Sequence, residues 1–331
     1  MKFFRRLAVI AAAAIITSFT SSSFAQTKAD FVFVIDATSS MAGEIAGVRN
    51  GFSNFVTGLN AAEVEARFSI VLFGGAPELV LDFTDDATVA STAFSQISTS
   101  GAVTGFQNNH NVNPEAGLEA IRMVLNEAPN STLVTSNLGT AHSGILNYRS
   151  DARKNIILVT DEDSDNPFYT ANRMPGQPTC NGCNAPSGGE TIAAWGPWQA
   201  EIDATAQAVI DNDAFLNMLI NRYDSPSRYQ YGDNFDDVAD SDLLNFDPAA
   251  TLANLQADSV TNNSLQAQVL EAGLIARTFD VAGANNSDFV NNFFAAKIEE
   301  TVTNPVDVPE PSFLVLLLTG LMGLRYSQRR S

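Results

Sequence analysis

The sequence predicts an α/β fold: a doubly wound, mostly parallel sheet with helices on both faces. Three observations carry that expectation. Apolar runs such as "FVFVI" at 31–35 and "NIILV" at 155–159 lack the polar alternation of a half-exposed strand, so they read as strands covered on both sides. Amphipathic stretches at helical spacing alternate with these runs, as in βα units. A chain of 331 residues, 45% hydrophobic and 17% charged, is also long and apolar enough to fill a large core and is not a disordered polymer.

The elements follow in order. "DFVFVID" at 30–36 is the first central strand. Residues 41–59 place Ile45, Val48, Phe52, Phe55, Val56 and Leu59 on one helical face. "ARFSIVLFGG" and "PELVLDFT" form a hairpin through a Gly-Gly-Ala-Pro turn. "DATVASTAFSQIS" is a helix opened by an acidic cap, and "NPEAGLEAIRMVLNEA" is another with Pro114 in its first turn. "KNIILVTD" is a second fully apolar strand, "AFLNMLI" a third and "ARTFDVAG" the last, before a closing helix at "SDFVNNFFAAKIEE". Two insertions interrupt the rhythm. Residues 163–200 are rich in Pro, Gly and Asn, and residues 222–274 carry Tyr, Asp and Asn ahead of the helical "LLNFDPAATLANLQ" and "SLQAQVLEAGLIA". Each reads either as a small subdomain or as a long functional loop. Together these elements define a single domain over 28–303.

The two ends carry different signals. Residues 1–25 combine a basic start, an apolar run from Leu7 to Ile16 and small residues before Gln26, the pattern of a secretory signal cleaved after Ala25. Residues 304–331 comprise a linker, Pro309-Glu310-Pro311, an apolar run from Phe313 to Leu324, and a basic tip. That run is shorter than the ~20 residues of a full span, but the basic tip favours a membrane reading before processing. Residues 308–331 closely resemble the PEP-CTERM sorting signal. The resemblance implies a Gram-negative bacterium, processing by an exosortase-type enzyme, and delivery to the cell envelope, the surface or an extracellular biofilm matrix.

Charge and cysteine use narrow the partners. Formal net charge is −19, and Lys2, Arg5, Arg6, Arg325, Arg329 and Arg330 lie at the extreme ends, so the body between them is more acidic still. Such a body repels nucleic acid and attracts cations. Cys180 and Cys183 stand in "PTCNGCNAPSGG" without a second pair or nearby His to complete a zinc site, so they form a small loop-closing disulfide or remain two free thiols.

Both fully apolar strands end in an acid, Asp36 and Asp161. In an open parallel sheet, ligands collect outside the carboxyl ends of the strands, where strand order reverses. Two carboxylates gathered there repel each other unless something positive lies between them. Thr38 and Ser40 complete a D-x-T-x-S pattern of hard oxygen donors suited to Mg²⁺ or Ca²⁺.

"FVFVIDATSSM", "NPEAGLEAI" and "NIILVTDED" resemble the three ligand loops of the von Willebrand factor A domain. The resemblance implies a metal-ion-dependent adhesion site with Asp36, Thr38 and Ser40 from the first loop and Asp161 from the last. The middle loop reads "GFQNNHNVNPEAG" where most members carry a Thr; Asn111 falls nearest that position, with Asn113 as its rival.

Plainer readings stand beside these. Asp36, Thr38 or Ser40 can cap the next helix. "DEDSDN" at 161–166 is either a solvated acidic loop or half of a calcium loop lacking its Gly and Glu. His110 and His142 accompany no nucleophile motif, and Trp195 and Trp198 either stack on sugars or pin a loop. The function expected is an exported, non-enzymatic binding or adhesion module, whose partner is a protein or extracellular-matrix ligand offering a carboxylate to the cation. The alternatives are a metal-dependent phosphoesterase, disfavoured because Thr38 stands where a D-x-D motif needs its second Asp, and a structural matrix protein in which the cation only stiffens the loops.

Overall fold

The computed structural model describes residues 26–74, 77–98, 115–127, 134–135, 144–164, 196–233, 235, 246–285 and 287–306. Thr27–Val306 forms one compact unit. Pro309, Glu310, Pro311 and the apolar run after them, the secretory signal over 1–25, and Cys180 and Cys183 all lie outside the described residues. Among the described residues, no helix is long and apolar enough to cross a membrane.

The strands are β1 (Lys28–Asp36), β2 (Glu65–Phe73), β3 (Glu78–Thr84), β4 (Val134–Thr135), β5 (Arg153–Val159), β6 (Ala214–Ile220) and β7 (Ala276–Asp280). They form one sheet in the order β4-β3-β2-β1-β5-β6-β7. All neighbours run parallel except β2 and β3, the expected hairpin. Strand order reverses between β1 and β5, which makes their carboxyl ends the ligand crevice of the sheet.

β1 is apolar without alternation because both of its faces are buried. Phe31, Phe33 and Ile35 point into one core, and Val32 and Val34 into the other. The first core lies under α1 (Ala42–Ala61), α2 (Ala87–Gln96) and the closing helix α8 (Ser287–Thr303). Its centre is aromatic: Phe33 meets Phe94 edge-on at 5.0 Å, and Phe55 stacks on Phe294 at 4.5 Å. Such pairs add about 0.5–1.5 kcal/mol each beyond the area they bury. α1 and α8 come close because Gly51 and Gly58 line their contact; a Cβ on Gly51 would lie 2.2 Å from Val290 Cγ1, and one on Gly58 2.4 Å from Ile298 Cδ1.

The second core lies under α3 (Gly117–Val124), α4 (Gly196–Asp211), α5 (Ser225–Tyr231), α6 (Pro248–Ala257) and α7 (Leu265–Glu271). Three expectations change here. The helix read over 113–128 runs only from Gly117 to Val124, because Ala116 (φ −94°, ψ 71°) leaves the helical region; Pro114 lies outside the described residues. The tail of the stretch read as an insertion over 163–200 opens α4, the helix that connects β5 to β6. Over 222–274, Asp224, Asp247 and Ser264 cap three short helices. Tyr231, Leu255, Leu265 and Val269 from those helices pack against the sheet, so the described part of this segment is integral to the second core. The edge pairing of β4 with β3 was not foreseen; Val134–Thr135 is too short to show periodicity.

The amino ends of β1 and β2 are clasped by charge. Asp30, fully buried, accepts from Arg67 Nε (2.9 Å) and Nη2 (2.7 Å), and from the Arg149 backbone N (2.8 Å) and Nε (2.9 Å). Arg149 also donates to the backbone oxygens of Ala29 and Glu65. Removing the buried carboxylate leaves Arg67 without its acid, while Arg149 keeps Glu65 (2.6 Å). Asp30→Ala therefore lowers stability by about 3–5 kcal/mol in urea unfolding, and a loss under about 1 kcal/mol would show that water replaces the carboxylate.

Candidate metal site

Asp36 is the last residue of β1, and its side chain is fully buried. The strand cannot end in open solvent, since Ala37 N donates to Phe73 O at the tip of β2. The carboxylate is instead met by three donors. Oδ1 accepts from Thr38 N (2.9 Å) and Thr38 Oγ1 (2.8 Å), and Oδ2 from Thr160 Oγ1 (2.9 Å). The chain then tightens into a single 3₁₀ turn, Ser39–Met41, before α1. Neither this turn nor α1 has a side-chain cap bond, so the capping role open to Asp36, Thr38 and Ser40 is not the one they take.

A continuous string of oxygen atoms links the first loop to the last. Thr38 Oγ1 lies 3.2 Å from Ser40 Oγ, and Ser40 Oγ donates to Asp161 Oδ1 at 3.1 Å. The sequence-expected residues Asp36, Thr38, Ser40 and Asp161 are thus brought together at the crevice between β1 and β5. Asn111 and its rival Asn113 lie outside the described residues, as do His110, His142 and Trp195; Trp198 falls within α4.

Burial is graded across the string. Asp36 and Thr38 are buried, Asp161 is half-buried and Ser40 is exposed, so the open side of the site lies at Ser40 and Asp161. Burial drives the Asp36 carboxyl up from the ordinary 3.8 to about 6, against the hydrogen bonds from Thr38 and Thr160 and with added repulsion from Asp161. Burial raises the Asp161 carboxyl as well; its bond from Ser40 opposes the rise and Glu44 reinforces it. Both acids therefore sit where negative charge is under-compensated by protein groups alone.

This donor set fits a hard divalent cation. Two carboxylates and two hydroxyls supply oxygen only, and Asp36 is anchored by donors that leave little freedom to turn away. Among the described residues, no three His, Cys, Asp or Glu side chains gather as a metal cluster.

Two partners escaped sequence reasoning. Thr160, immediately before Asp161 in "VTDED", holds Asp36 from the neighbouring strand; a hydroxyl beside an acid at a buried strand's end was the available signal. Ser164 is buried, not part of a solvated acidic loop. Its N donates to Gln230 Oε1 (2.5 Å), its O accepts from Gln230 Nε2 (3.0 Å), and its Oγ accepts from Leu118 N at the start of α3 (3.0 Å). No sequence pattern marks that clamp, because it joins residues far apart in the chain.

A doubly wound sheet with an oxygen-lined crevice at its switch point defines the class: a mostly parallel α/β domain with helices on both faces. Residues 31–164 match the family model of the von Willebrand factor type A domain. Solved structures similar to it include an aerotolerance-related membrane protein from Bacteroides fragilis, 13% identical, covering 82% of this chain and 99% of that one (TM-score 0.40). The PilB minor pilin from Streptococcus sanguinis is 10% identical, with 88% and 65% covered (TM-score 0.45). A von Willebrand factor type A protein from Catenulispora acidiphila is 12% identical, with 83% and 43% covered (TM-score 0.40). The chain thus spans less than two thirds of the last two. No curated protein matches it.

The raised Asp36 carboxyl sets a pH dependence in cation-free protein. The folded state holds this proton more tightly than the unfolded chain, so its stabilising contribution is complete below about 4 and is lost as pH rises through about 6. The full swing is about 3 kcal/mol, at about 1.4 kcal/mol per unit. In chelator, thermal melts of the wild type gain stability on acidification across this window, and Asp36→Asn removes that component; an unchanged slope in the variant would assign it elsewhere.

Proposed function

We propose that this chain is an exported, non-enzymatic binding module that captures a partner through a divalent cation, Mg²⁺ or Ca²⁺. Asp36, Thr38, Ser40 and Asp161 hold the cation, and Asn111 or Asn113 from the middle loop completes the protein's share. The observation that carries this reading is the oxygen string from buried Asp36 to the open edge at Ser40 and Asp161. When bound, the cation supplies an incompletely filled coordination shell to an incoming carboxylate of a protein or matrix ligand.

The protein's own groups divide the work. Asp36 contributes charge from a fixed, buried position, and Thr160 orients it from the next strand. Ser40 and Asp161 would hold the cation at the open edge, and the exposed side of the pair would face the partner. The resemblance of residues 1–25 to a secretory signal and of 308–331 to a sorting signal supports export to the envelope, surface or matrix, with an exosortase-type enzyme acting on the C-terminal segment. The acidic body supports a partner other than nucleic acid.

Two variants test the reading. Asp36→Ala, in protein that keeps its circular dichroism spectrum, loses capture of ligand from native extracellular matrix to the level seen with chelator. Thr160→Val, which touches no cation, weakens Mg²⁺ or Ca²⁺ binding by ~10–100-fold, the usual effect of an outer-shell change. Capture that survives both Asp36→Ala and chelation would refute metal-mediated binding; loss of folding in Asp36→Ala would favour a cation that serves structure alone.

A further inference from the structure

A second group of reactive side chains lies away from the crevice, where α8 packs on the sheet. Lys297 and Glu300, one turn apart on α8, are both buried, at 1% and 5% exposure, and Asn217 in β6 is buried at 1%. Glu300 Oε1 accepts from Lys297 Nζ, and the same oxygen accepts from Asn217 Nδ2 at 3.2 Å; Glu300 Oε2 lies 3.5 Å from that nitrogen. One carboxylate oxygen is therefore shared between an amine and a carboxamide from two different elements. The Phe215 ring, centred 5.9 Å from Lys297 Nζ, forms part of the apolar wall.

We propose that Lys297 and Asn217 join in an intramolecular amide cross-link, an isopeptide bond, with Glu300 as the acid–base group that drives it. Glu300 takes one proton from the Lys297 ammonium. The free amine attacks Cγ of Asn217, a bond forms between Nζ and Cγ, and the bond from Cγ to Nδ2 breaks. A second amine proton passes through Glu300 to Nδ2, which leaves as ammonia. Starting from ammonium, carboxamide and carboxylate, the products are an amide, ammonia and a protonated Glu300. Atoms and charge balance, and no oxidant or co-reactant is needed.

Three features favour this chemistry over a plain ion pair. Taking a Lys and a Glu out of water costs several kcal/mol per ion, and mutual attraction repays this only incompletely. The reaction ends with no buried charge in the triad. Burial lowers the Lys297 ammonium's pKa, and the cations Arg277 and Arg153 push the same way against the pull of Glu300, so the amine is eased toward its nucleophilic form. Glu300 also touches both reacting nitrogens, which places acid and base within hydrogen-bond reach of every proton that moves. The bond would fasten α8 to β6 across 80 residues of chain, and unlike a disulfide it would not respond to reductant.

Peptide mapping of the purified full chain by mass spectrometry tests this. The expected result is one branched species that contains both Asn217 and Lys297, lighter than the two peptides together by one ammonia, with Lys297 resistant to trypsin. Glu300→Gln and Lys297→Met are expected to yield two separate linear peptides. Because the decisive reading comes from the wild type, it holds even where a variant folds poorly. Recovery of wild-type protein with cleavage at Lys297 and an unbranched peptide carrying Asn217 or its deamidated form would overturn the proposal.

Discussion

The burial of a carboxylate at the end of β1 is the constraint on which the rest of this molecule depends. Asp36 has no solvent exposure and, among the described residues, no cationic hydrogen-bond partner, only hydrogens from Thr38 and Thr160. A lone charge in such a place is costly unless neutralised or paired. The fold makes the position tolerable by ending two parallel strands side by side, so that backbone and hydroxyl donors from both converge on it. It also leaves the carboxyl with a residual appetite for positive charge. The apolar strand and its acidic tip are therefore one device: the strand fixes the acid in a dry place, and the dryness tightens its hold on a proton.

The same sheet is secured differently at its other positions. At the amino ends of β1 and β2, Asp30 is matched by two arginines, a complete pairing that asks for no further ligand. On the first core, α8 contributes Val290, Phe293 and Phe294 from its opening turns and the charged pair Lys297 and Glu300 further on. Three of the buried acids, Asp30, Glu300 and Asp36, meet three different settings. Asp30 is balanced by arginines, Glu300 by a lysine and a carboxamide, and Asp36 by backbone and hydroxyl donors alone. Only the third has an exposed neighbour, Ser40, and a half-buried acid beside it.

Much of this was legible in the sequence, because burial on both faces erases alternation and parallel strands show as plain apolar runs. β1, β5 and β6 fall where "FVFVID", "NIILV" and "AFLNMLI" place them, and the caps at Asp86 and Ser264 sit beside the amphipathic stretches they open. Asp36, Thr38, Ser40 and Asp161 could be gathered on paper from strand ends alone. What stayed hidden depends on contacts between distant residues. Thr160 as the orienting donor, the clamp of Ser164 by Gln230 and the sharing of Glu300 between Lys297 and Asn217 leave no local pattern, since each partner looks like an ordinary polar residue on its own element. The late start of α3 was likewise hidden: Pro114 signals a helix nearby, but the conformation at Ala116 decides where the helix begins.

Titration calorimetry with MgCl₂ and CaCl₂ on the folded protein, alongside Asp36→Ala, tests the central claim most directly. This account predicts uptake of one cation per crevice by the wild type and its loss in the variant. Absence of uptake by the wild type, or uptake that persists unchanged without the Asp36 carboxylate, would contradict it.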